Sequence, residues 1–121
     1  MAQKYDNLPV FKAIYTMLLT TLEVSHKATK DYRYSLCEDL KKRLFEMQIL
    51  VYRANKEADK QKKVQYINEM LELLVVVKLC YRILHDSKQL SLNRFAQIAY
   101  DLVEIEKHLE NWKQYNQKER L

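Results

Sequence analysis

The chain has 121 residues with no glycine and one proline, so β-hairpin turns, Gly-rich phosphate loops and Rossmann-type turns are excluded and an all-α protein remains. Its 48% hydrophobic and 31% charged residues suit one domain of amphipathic helices and argue against disorder and against a membrane span. The 21 Lys and Arg against 16 Asp and Glu leave +5, which permits an anionic partner such as nucleic acid without requiring one.

Pro9 lacks only an N–H that would be unpaired in a first helical turn, so a first helix is expected over about 8–27. Phe11, Ile14, Leu18 and Leu22 form its stripe, and Val10, Met17 and Leu19 widen the apolar surface. A second helix is expected over about 33–58, with Ser35 and Glu38 at capping-box spacing. Its seam reads Leu36, Leu40, Leu44, Met47, Val51, Ala54 and Ala58. The third, about 61–86, turns Ile67, Met70, Leu74, Val77, Tyr81 and Leu84 inward. Ser91 is the expected N-cap of a fourth over about 91–115, whose stripe is Phe95, Ile98, Leu102, Ile105, Leu109 and Trp112. Short polar links predict an up-down-up-down four-helix bundle, with a loose tail after Trp112.

Apolar residues remain outside these stripes. Phe45, Ile49 and Tyr52 lie opposite the second seam. Leu71 to Cys80 leaves almost no polar sector on the third helix, Leu73 and Val76 included, and Tyr100 and Val103 stand off the fourth seam. A helix that is apolar all round must be buried all round, and in so small a bundle a second subunit covers the outer side, so a homo-oligomer is expected.

Lys78 and Arg82 are the charges within the run from Val75 to Leu84, and their i, i+4 spacing places them on one face. They must reach water, a carboxylate or a phosphate. With Lys107 as a third member they would form a basic band that repeats around an oligomer and favours a polyanion. Residues 30–60 hold eight basic and six acidic residues, a balance of +2 that reads as a solvated charged face.

Four-helix di-iron sites need a Glu-x-x-His pair on each of two helices, and the chain has that spacing once, at Glu23 and His26, so no metal or other cofactor is expected. Cys37 and Cys80 stand among apolar residues and read as reduced packing thiols with no base beside them in sequence, and the protein is taken as non-enzymatic, without a small-molecule substrate. No signal peptide or apolar stretch of roughly 18 residues is present, which points to a cytoplasmic protein without a membrane partner. The nine tyrosines suit either base stacking or subunit contacts.

The segment Lys30-Asp-Tyr-Arg-Tyr-Ser-Leu-Cys-Glu-Asp-Leu40, Arg53-Ala-Asn55 and Leu109-Glu-Asn-Trp112 resemble a bacterial four-helix-bundle family. That family includes proteins encoded in intervening sequences of large-subunit ribosomal RNA genes and Avd, the accessory variability determinant of diversity-generating retroelements. The resemblance covers about residues 8–113 and departs at Cys37, where the family often has glycine. It implies a pentameric barrel that binds a reverse transcriptase and RNA or DNA in support of mutagenic retrohoming, with Lys78, Arg82 and Lys107 as its basic contacts. The alternative is a structural or protein-interaction bundle of the intervening-sequence type with no affinity for nucleic acid.

Overall fold

The structure, a computed structural model, describes residues 4–118. A single 3-10 turn, Tyr5–Asn7, precedes α1 (Pro9–Lys27), the one-turn α2 (Lys30–Arg33), α3 (Leu36–Lys56), α4 (Lys60–Asp86) and α5 (Leu92–Lys118). The long helices α1, α3, α4 and α5 are the four read from the periodicity. Pro9 stands in the first turn of α1 as expected. Ser91 Oγ accepts from the Arg94 amide at 3.1 Å, and Asp59 Oδ1 caps α4 through the Gln61 amide at 2.9 Å.

Three local expectations fail for identifiable reasons. Ser35 stands at the N-cap of α3, but its side chain makes no cap bond; the hydroxyl donates instead to the Asp31 carbonyl at 2.6 Å, which α2 has placed one turn behind it. α3 stops at Lys56, so Ala58 is exposed in the link rather than part of the seam. α5 continues past Trp112 to Lys118, where the buried Asn116 donates its Nδ2 to the Trp112 carbonyl at 2.8 Å.

The corners use side chains where other proteins use glycine. Between α1 and α3 the Arg33 guanidinium donates to the carbonyls of Ser25 at 3.1 Å, His26 at 2.9 Å and Ala28 at 3.1 Å. A cation there satisfies orphan carbonyls and meets the negative end of the helix dipole. After α4, Lys88 takes the left-handed conformation with φ 64°, its amide bonds to His85 O at 3.0 Å, and the Gln89 amide bonds to Leu84 O at 2.8 Å. This is a Schellman-type cap built on lysine, at a cost on the order of 1 kcal/mol relative to an unstrained residue.

α1 packs on α3 and α5, and α4 packs on the same two. The four helices therefore form an up-down bundle of square section, with α1 and α4 on one diagonal. The expected inward residues of α4 are buried, together with Ile14, Met17, Leu40, Leu44, Met47, Ile98 and Ile105. The stripe of α1 is rotated from expectation. Leu19 and Leu22 are exposed, Phe11 is half-buried, and Thr21, Val24 and Ser25 fill the core instead. Thr21 can be buried because its hydroxyl donates to the Met17 carbonyl at 2.8 Å and receives the Tyr81 hydroxyl from α4. Burial pushes the Tyr81 phenol well above its usual pKa, with the Thr21 bond pulling the other way.

Candidate interaction faces

One exposed apolar face lies along α1 and α3. Gln48 on α3 donates Nε2 to the Phe11 carbonyl on α1 at 3.0 Å, joining the two helices at this face. Tyr5 stands edge-on to both Phe11 and Tyr52, with ring centroids 5.3 and 5.2 Å apart. These residues, with Phe45 and Ile49, line a groove of about 320 Å³. Phe45 is 59% exposed, and Ile49, Tyr52, Tyr15 and Leu22 are exposed with it. Within the groove wall, Gln48 Oε1 is buried and has no donor among the described residues.

The second face lies across the bundle, on α4 and α5. Lys78 Nζ meets Glu106 Oε1 at 2.7 Å, tying the two helices together. Val75 and Leu79 on α4, and Tyr100 and Val103 on α5, are exposed on this side. Arg82 and Lys107 share it. Arg82 Nε lies 3.9 Å from Asp86, and Lys107 Nζ lies 3.5 Å from Glu104. The three cations expected to form a basic band are thus brought onto one face, but each has a carboxylate beside it. They also interleave with the apolar residues expected to meet another subunit.

Of the residues expected at a subunit contact, Phe45, Ile49 and Tyr52 belong to the α1/α3 face, and Tyr100 and Val103 to the α4/α5 face. Leu73 and Val76 join neither. Both are half-buried against the core and line a shallow groove with Arg43, Glu46, Leu50, Glu69 and Glu72 on the α3/α4 side. The exposed large apolar residues of α4 are instead Val75, Leu79 and Ile83. A helical wheel of α4 alone cannot distinguish these sides, because it does not say which neighbour stands where.

Burial raises the pKa of both cysteines. For Cys37 a hydrogen bond from Ser25 works the other way, and for Cys80 the nearby Asp39 adds to the rise. Both are therefore held as thiols, in keeping with packing. His85 stacks on Phe95 with centroids 4.4 Å apart and planes 6° from parallel. Among the described residues no group of three His, Cys, Asp or Glu side chains is placed to hold a metal ion. Nor is any described helix long and apolar enough to cross a membrane.

The short motifs of the sequence have structural positions. Arg33 closes the α1 end, Cys37 and Leu40 are core residues, and the Asn55 carbonyl accepts Lys63 Nζ at 3.4 Å across the α3–α4 link. Leu109 is fully buried, with Trp112 packed on the core beside it. No protein-family model and no curated protein matches the chain.

Proposed function

We propose that the protein is a non-catalytic accessory subunit that works as a homo-oligomer. In this reading it serves a diversity-generating retroelement, binding its reverse transcriptase and RNA or DNA in support of mutagenic retrohoming. The observation that carries the oligomer is the pair of exposed apolar faces on opposite sides of the bundle. Self-complementary pairing of two copies needs one such face. Two opposed faces suit a head-to-tail contact, in which α1/α3 of one copy meets α4/α5 of the next and the series closes into a ring. The pentamer and the retroelement partner come from the motif resemblance at Lys30–Leu40, Arg53–Asn55 and Leu109–Trp112, and the charge of +5 suits a polyanion.

Sedimentation equilibrium at micromolar concentration tests the assembly. The expected mass is several times 14.7 kDa, and a monomer would overturn the proposal. The retroelement's reverse transcriptase is expected to co-elute with the oligomer. A second reading, a protein-interaction bundle without nucleic-acid affinity, draws support from the carboxylates beside Lys78, Arg82 and Lys107. Salt-dependent binding of RNA or DNA separates the two, because counterion release makes affinity fall as salt rises.

A further inference from the structure

Arg53, Lys56, Lys60, Lys62 and Lys63 fall within eleven residues, against Glu57 and Asp59. The link between α3 and α4 is Glu57 to Asp59, so all five cations gather at one end of the bundle. Both carboxylates of the link are turned onto backbone amides. Asp59 accepts from Gln61 at 2.9 Å, and Glu57 Oε2 accepts from the Asp59 amide at 3.2 Å. Glu57 also acts electrostatically on Lys63. Among the described residues none of Arg53, Lys56, Lys62 and Lys63 joins an ion pair, in contrast to Lys78, Arg82 and Lys107.

Aromatic rings alternate with these cations. Lys56 Nζ lies 5.2 Å over the Tyr52 ring, which Tyr5 meets edge-on, and Lys60 Nζ lies 5.9 Å over Tyr115. Tyr115 is 62% exposed. The positive end of the 27-residue α4 opens at the same place. Exposed rings offer stacking surfaces to unpaired bases, and ammonium groups beside them offer charge to the phosphates between. In a duplex the base faces are already stacked on one another, so such rings gain less from it.

We infer that this end of the bundle binds single-stranded nucleic acid, with Lys56, Lys62 and Lys63 on phosphates and Tyr115 under a base. The inference rests on the nucleic-acid half of the reading above and places its contact away from the α4/α5 face. That face is then free to meet another subunit, which the interleaved apolar residues require.

Fluorescence anisotropy of labelled oligo-dT and oligo-U against the full chain, over a salt series, tests the site. The Lys56→Ala/Lys62→Ala/Lys63→Ala variant is expected to bind roughly tenfold or more weakly. Its salt slope should flatten by about 2, at ~0.7 per phosphate on a single strand. Tyr115→Leu should weaken binding about fivefold with the slope unchanged, and duplex of equal length should bind less tightly than the single strand. Circular dichroism and sedimentation of each variant confirm that fold and assembly are intact, and Lys62→Glu alone, at an exposed position, serves if the triple variant misfolds. If the wild type binds but these variants bind equally well, or only Lys78→Ala/Arg82→Ala/Lys107→Ala loses affinity, the site is overturned while the nucleic-acid reading stands. If the wild type binds neither oligonucleotide at low salt, both fall. Equal binding of duplex, with no effect of Tyr115→Leu, overturns the single-strand assignment.

Discussion

The Tyr81 hydroxyl on α4 donates to the Thr21 hydroxyl on α1 across the diagonal of the bundle, and the Thr21 hydroxyl in turn donates to the Met17 carbonyl. Both residues are fully buried. Thr21→Val keeps the shape but leaves the phenol without an acceptor, so unfolding free energy should fall by about 1–3 kcal/mol. Adding Tyr81→Phe to that variant should recover most of the loss. A double-mutant cycle in urea measures the coupling, and additive losses would mean that the two hydroxyls do not depend on each other.

At Lys88 a side chain is held at φ 64°. Lys88→Gly should remove the strain at the cap while adding chain entropy to the unfolded state. The net expectation is a gain of about 0.5 kcal/mol, seen as a higher urea midpoint with an unchanged slope. A destabilised Lys88→Gly protein would mean that the strain is smaller than the added entropy.

Alkaline pH should weaken the fold ahead of any acid effect from these groups. Tyr81, Cys37 and Cys80 all have folded-state pKa values above their ordinary 10.0 and 9.0. The protonated form is the one the core accepts, so the stability they contribute is full below the unfolded values. It is lost as pH rises from about 9 through the raised folded values, because the unfolded chain gives up its protons first. Urea midpoints are expected to be level between pH 7 and 8.5 and to fall beyond pH 9.5. Tyr81→Phe should shallow that fall, and a slope identical to wild type would remove Tyr81 from the account.

The two apolar faces can be tested against each other. Ile49→Glu disables the α1/α3 face and Val103→Glu the α4/α5 face, both at exposed positions where the monomer should keep its helicity. Each variant alone should lose the large assembly. An equimolar mixture should form a heterodimer of about twice the subunit mass, because one intact contact survives between unlike copies. Native mass spectrometry reads this directly, and a large assembly formed by either variant alone would exclude its face from the contact.

Much of the bundle is legible in the sequence. Pro9, Ser91 and the unbroken three-four spacing of α3 to α5 place four helices, because each of these signals acts within one or two turns. The rotation of α1 is not legible. Thr21 looks polar until Tyr81 arrives from sixty residues away to take up its hydroxyl, while Leu22 looks like core until the neighbours leave it uncovered. The same limit applies to the candidate sites. Local spacing puts Lys78 and Arg82 on one face, but Glu106 comes from another helix. The basic end escapes a net-charge count over residues 30–60, since Lys62 and Lys63 lie beyond that window and the link carboxylates cancel on paper. The count also omits placement: Arg53, Lys56, Lys60, Lys62 and Lys63 gather at one end of the bundle, where Asp59 and Glu57 hold backbone amides.

The corner made by Arg33 bears on how such a chain can diverge. All three of its acceptors are main-chain carbonyls, so the contact recognises the end of a helix and no particular side chain. Leu, Ile, Met and Val can then exchange throughout the core at constant volume without disturbing how α1 is delivered to α3. Two proteins of this build can drift apart at nearly every apolar position and still share one bend. In a comparison of distant relatives, the polar corner would be the last stretch of likeness to fade.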